Sequence, residues 1–154
     1  MFGFDVKRKA NKVMNLITDF SNRIINNRKV YPFGGGNQED VECILTGLSC
    51  FLASGFANND NLAYELVPAY QKKIMPSVTE LQYNLRTELL QRYYLEFRET
   101  AIRYQENGGD WFYPLMEEFS HMIAEYLDIQ NASDDCYGVF GACIVTLIER
   151  LKSL

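Results

Sequence analysis

Residues 77–106 read SVTELQYNLRTELLQRYYLEFRETAIRYQE, and their pattern decides the fold class. Ser77, with Glu80 three residues later, has the form of a capping box, in which a hydroxyl and a carboxylate satisfy orphan amides reciprocally. From there Leu90, Tyr94, Phe97, Ala101 and Tyr104 recur at helical spacing on one stripe, and Leu81, Leu85 and Leu89 on another. Asn107-Gly108-Gly109-Asp110 stops the run, because glycines just past a helix end accept the left-handed conformation of a cap. The reading is a helix four over about residues 77–106, roughly 45 Å at 1.5 Å per residue. It is expected to be the longest element and, with apolar residues on two faces, a central one packed between two layers.

The same period runs outward in both directions. In a first helix, about residues 5–28, Val6, Ala10, Val13, Ile17, Phe20 and Ile24 form one apolar stripe, with Lys7, Arg8, Lys12 and Arg23 off it. After Gly34-Gly35-Gly36, Asn37 with Asp40 reads as an N-cap and first-turn acid, so helix two starts near Gln38. Its apolar positions Val41, Ile44, Leu45, Leu48, Phe51, Leu52 and Phe56 cover a wide arc, and Gly47 and Gly55 allow a neighbour to approach closely. The turn Asn58-Asn59-Asp60-Asn61 leads to a short or broken third helix, interrupted at Pro68. Pro114 suits the first turn of helix five, whose apolar face includes Leu115, Phe119, Met122 and Ile123. A turn over Asn131–Asp135 precedes helix six, with Val139, Phe140, Cys143, Ile144, Leu147 and Leu151. The expected class is all-α: one single-domain helical bundle, residues 1–154, of five to six helices with under a tenth strand. Its core includes Leu45, Leu48, Leu52, Leu85, Phe97, Ile123, Phe140, Ile144 and Leu147.

A chain of 154 residues with 47% hydrophobic and 23% charged residues has the size and composition of one packed core, which excludes general disorder. The net charge of −5 conceals a split. Residues 1–31 carry seven basic side chains against two acidic, which leaves eight basic against eighteen acidic for the remainder. From Glu106 to Glu149 there are nine acids and no Lys or Arg. Overall acidity argues against nucleic-acid binding, whose footprint is a basic stripe. No run reaches the roughly 20 apolar residues of a membrane span. Charges at Asp5, Lys7, Arg8, Lys9 and Lys12 fall where a signal peptide has its apolar stretch, so a cytoplasmic chain beginning at Met1 is expected. Cys43 and Cys50, like Cys136 and Cys143, stand seven apart inside apolar segments, about 10 Å along a helix. That is too far for a disulfide within a pair and unlike a zinc knuckle, so reduced core cysteines are expected.

Four constellations bear on chemistry. Glu118-x-x-His121 has the spacing that di-iron bundles use twice, but His121 is the only histidine, so no metal or cofactor is expected. Gly34-Gly35-Gly36 precedes a helix start, yet Glu39, Asp40 and Glu42 would repel a phosphate there. Lys7-Arg8-Lys9 beside Phe2 and Phe4 reads as a solvated helix face rather than a lipid or nucleic-acid arm. Trp111, Phe112 and Tyr113 stand together beside Asp110, either packing a loop onto the core or anchoring a partner. With a single histidine and no nucleophile beside a recognisable base, the chain is expected not to be an enzyme.

Small size, acidity, a helical bundle and no catalytic constellation together resemble the make-up of many bacterial immunity proteins, which bind and block a cognate toxin in the cytosol. That resemblance implies an antitoxin-type binding protein that occludes a basic toxin domain through an acidic C-terminal face. The expected contact residues are Asp110, Trp111, Tyr113, Glu117, Glu125, Asp128, Asp134 and Asp135, with no nucleic acid and no membrane as partner. Two alternatives are a homo-oligomeric adaptor or structural protein, such as a homodimer docking basic helix one on the acidic block of another copy, and a metal-dependent helical-bundle enzyme.

Overall fold

The computed structural model describes residues 2–27, 38–56, 61–129 and 132–153. Among these there are six α-helices and no strand: α1 Phe2–Asn26, α2 Gln38–Phe56, α3 Leu62–Ile74, α4 Glu80–Glu106, α5 Phe112–Tyr126 and α6 Asp134–Lys152. The all-α bundle read from the sequence is therefore observed. The triglycine, Asn37 and Asn58 to Asp60 lie outside the described residues.

Each helix buries an apolar stripe that its sequence marks, although the second stripe of α4, Leu81, Leu85 and Leu89, is not buried. On α1, Val6, Ala10, Val13, Ile17, Phe20 and Ile24 are buried while Lys7, Arg8, Lys12 and Arg23 face solvent. All ten residues from Val41 to Cys50 of α2 are buried, since this helix is enclosed by α1, α3, α4 and α6 and reaches α5 where Phe51 meets Phe119 edge-on. The enclosure depends on Gly47. A Cβ there would lie 2.8 Å from the Leu90 carbonyl oxygen and 2.9 Å from Tyr93 Cβ, so α4 crosses α2 where α2 has no side chain. The buried hydroxyls of Ser49 and Ser120 are satisfied within one turn, Ser49 donating to the Leu45 carbonyl at 2.6 Å and Ser120 to that of Met116 at 3.0 Å, whereas the Thr46 hydroxyl has no partner among the described residues. The buried Glu42 carboxylate of α2 accepts from Lys73 Nζ of α3 at 2.7 Å, which ties two helices and leaves no unpaired buried charge at that point.

Four expectations are corrected. α4 is the longest helix at 27 residues, but the centre belongs to α2; α4 buries only Leu90, Phe97, Thr100 and Ala101, and packs with one face rather than between two layers. Leu85, expected in the core, is 54% exposed for that reason; the other eight expected core residues are buried. The capping box exists two residues further on. Pro76 initiates a single 3₁₀ turn, Met75–Ser77, in which the Ser77 hydroxyl donates back to the Ile74 carbonyl. Thr79 then caps α4, accepting from the Gln82 amide at 3.2 Å while Gln82 Oε1 accepts from the Thr79 amide at 2.9 Å. Finally, α3 is short, as expected, at 13 residues, but it runs unbroken through Pro68. That residue sits on the exposed side, while Leu62, Leu66, Tyr70 and Ile74, at intervals of one turn, anchor both halves to the core.

Gly47→Ala is expected to destabilise the protein by about 1–3 kcal/mol, because the added methyl meets backbone and cannot be accommodated by a side-chain rotation. Leu48→Ala should cost about 2–5 kcal/mol and Leu85→Ala less than about 0.5 kcal/mol, as measured by urea denaturation.

Candidate partner-binding surface

The outer side of α5 is fixed from within by aromatic contacts. Phe119 of α5 packs edge-on against Phe97 of α4 at 5.1 Å, and Tyr126 lies 4.8 Å from Tyr93 and 5.9 Å from Phe97. The Tyr126 hydroxyl donates to the Glu96 carboxylate, and burial first, then that carboxylate, pushes the phenol well above its ordinary value. With α5 packed against both α4 and α6, its remaining face is exposed to solvent.

There Tyr113, Glu117, His121 and Glu125 follow one another at intervals of one turn, and Asp128 continues the line past the helix end; all five are exposed. The His121 ring packs on Tyr137 of α6 at 4.1 Å between centroids, with Nε2 4.0 Å from Glu117. Tyr137 is one turn from Asp134, so the first turn of α6 adjoins the middle of this stripe. Asp134 and Asp135, expected in the preceding turn, belong to α6 itself. Ser133 is its cap, accepting from the Cys136 amide at 3.2 Å. The two acids therefore also complement the positive end of the α6 dipole. Among the described residues, no Lys or Arg lies within 4.0 Å of Glu117, Glu125, Asp134 or Asp135. The basic cluster of α1 is not spent on them: Arg8 and Lys9 pair with Asp5 of their own helix at 3.5 and 3.3 Å.

The aromatic trio divides. Phe112 turns inward against Phe56, with ring centroids 6.3 Å apart, Trp111 is half-buried beside it, and Tyr113 is 72% exposed at the head of the acidic stripe. Asp110 is exposed in the glycine turn, where Gly108 and Gly109 have φ of 71° and 67°. Asp128 has a further structural role. With φ 55° it ends α5 in the left-handed conformation, and the Ile129 amide donates back to the Ala124 carbonyl at 2.9 Å, as in a Schellman cap that normally uses glycine.

Groups with chemical potential are occupied elsewhere. The Glu118 carboxylate accepts from the Tyr104 hydroxyl at 3.4 Å while His121 lies against Tyr137, so the Glu118–His121 spacing does not assemble a shared centre. Among the described residues, no three His, Cys, Asp or Glu side chains gather as metal ligands. An apolar groove of about 610 Å³ between α2, α3 and α4 contains Cys50, Tyr64 and Tyr94. Burial pushes the Cys50 thiol up to about 12, which keeps it protonated at neutral pH. All four cysteines are free and buried, and Cys43 Sγ lies 3.0 Å from the Tyr70 hydroxyl. No described helix is long and apolar enough to cross a membrane.

Family models, curated proteins and solved structures searched with this chain gave no match.

Sequence reasoning named the acids of the stripe but missed Tyr137, which joins α6 to it. The spacing of Tyr113, Glu117, His121 and Glu125 was a signal in the sequence; the stacking of His121 on Tyr137 was not.

Two outcomes follow from this geometry. Asp128→Gly should raise stability by up to about 1 kcal/mol by relieving the left-handed conformation, as read by thermal melting. The buried thiols also set a pH dependence. Cys43, Cys136 and Cys143 are pushed up to about 11 and Cys50 to about 12, all chiefly by burial, from an ordinary 9.0. The unfolded chain therefore loses these protons first, so their contribution is complete below about pH 9 and is lost as pH rises towards about 11. The urea midpoint should fall over that range, and less steeply in Cys50→Ala; a rising midpoint would contradict the burial.

Proposed function

We propose that this chain is a non-catalytic binding protein that docks a basic protein partner on the stripe from Tyr113 to Asp128 of α5 together with the first turn of α6. In its specific form the partner is a cationic toxin domain, held and occluded in the cytosol in the manner of an immunity protein. One observation carries this reading: Glu117 and Glu125 are exposed on one helix face, and no Lys or Arg among the described residues neutralises them. Together with Asp134 and Asp135 of the adjoining α6 turn they give this surface a negative potential, which a cation-rich partner complements. Tyr113, a rigid aromatic at one end of the stripe, supplies burial that charge alone does not. A toxin acting on nucleic acid needs a cationic surface to hold phosphates, and an anionic stripe competes for that same surface. Four free thiols fit a reducing compartment.

The test is association with a panel of cationic nuclease domains, followed by surface plasmon resonance at low and high salt. Glu117→Lys with Glu125→Lys should slow association and flatten its salt dependence while changing stability by less than about 0.5 kcal/mol. Reversing Asp134 and Asp135 should also weaken binding, but at a further cost of about 0.3–1 kcal/mol per charge to α6 through its dipole. Binding that ignores both ionic strength and the Glu117/Glu125 reversal would overturn the proposal.

A further inference from the structure

α4 turns a second, different surface to solvent. Leu81, Leu85, Leu95 and Ile102 are 69%, 54%, 49% and 37% exposed, on the side of the helix opposite the buried Leu90, Phe97 and Ala101. Together with Glu88, Arg92 and Glu99 they follow one another at alternating intervals of four and three residues. That is the seam of a coiled coil, in which core positions repeat every 3.5 residues. The seam is not a neutral apolar strip. Glu88 and Arg92 sit at its centre, exposed, and no ion pair within 4.0 Å engages either among the described residues.

The charge order selects the occupant. A parallel second copy would oppose Glu88 to Glu88 and Arg92 to Arg92 in successive layers, which is repulsive in both. An antiparallel copy, with residue numbers summing to 180 across the seam, sets Leu85 against Leu95 and Glu88 against Arg92, each layer occurring twice by symmetry. In the same register Leu81 inserts between Leu95 and Ile102 of the second copy, with Glu99 opposite it near the end of the seam. A lipid surface would leave Glu88 and Glu99 facing hydrocarbon with no partner, so it fits this face worse. We infer that α4 is a self-association surface, on which two copies of this chain pair their α4 helices antiparallel through leucine layers and two central Glu88–Arg92 pairs. The dimer is a reversible one, because three of the seven seam positions are charged and each such layer contributes less than an apolar one. It uses none of the residues of the acidic stripe and does not depend on the function proposed above.

Sedimentation velocity of the full chain from micromolar to near-millimolar concentration reads the association directly. The expected result is a monomer–dimer equilibrium that Arg92→Glu weakens by about tenfold or more, since both central layers then carry like charges. The double swap Glu88→Arg with Arg92→Glu should restore it, and circular dichroism should show all three proteins equally helical. Disulfide trapping reads the direction. Leu85→Cys mixed with Leu95→Cys should cross-link on mild oxidation, whereas Leu85→Cys alone should not, because the two copies of that position are offset by about 15 Å. A chain that stays monomeric at all concentrations, a dimer indifferent to Arg92→Glu, or self-cross-linking of Leu85→Cys would each overturn the inference.

Discussion

The contact at Gly47 governs the arrangement of the bundle. An α-helix can be buried on all sides only if its neighbours approach closely, and α2 achieves this against α4 because a hydrogen atom stands where a Cβ would meet the backbone of Leu90 and Tyr94. With that crossing set, Phe97 of α4 reaches Phe119, and Phe51 of α2 reaches the same ring from the other side. Together with its packing on α6, this leaves one face of α5 exposed. The acids on that face are exposed as a geometric consequence of packing, and their exposure is as firm as the aromatic column behind them.

Two outward surfaces result, and their physics differ. The stripe on α5 and α6 is acidic and polar apart from Tyr113 and the Tyr137 ring against His121. The seam on α4 combines exposed Leu81, Leu85, Leu95 and Ile102 with the charged Glu88, Arg92 and Glu99. The basic face of α1 belongs to neither, since Asp5 already engages Arg8 and Lys9. Among the described residues, no ion pair links the basic N-terminal segment to the acids between Glu106 and Glu149.

Much of the fold was legible because helical periodicity is a local property. The six helices, the cysteines as core residues and eight of the nine core positions follow from apolar spacing alone. The misreadings have two causes, competition between local signals that spacing cannot rank and the tertiary position of a helix, which spacing does not contain. Ser77 and Thr79 both offer a cap, and Pro76 settles it by drawing Ser77 into a 3₁₀ turn. Pro68 signals a break, but four buried anchors outweigh the missing amide. Leu85 and Leu89 look equally apolar, and only the position of α4 leaves Leu85 bare and Leu89 half-buried.

By itself the sequence determined which residues are helical and which face of most helices is apolar, because hydrogen bonding and side-chain period act within a few residues of the chain. It also determined that the segment from Glu106 to Glu149 carries acids and no Lys or Arg. The tertiary structure alone decided that α2 and not α4 is enclosed, since enclosure depends on how many neighbours fit around a helix. It decided too that Tyr137 meets His121, so that acids from two helices border one surface. It left the leucines of α4 facing solvent, because a helix packed by one face must bare the other whatever residues stand there.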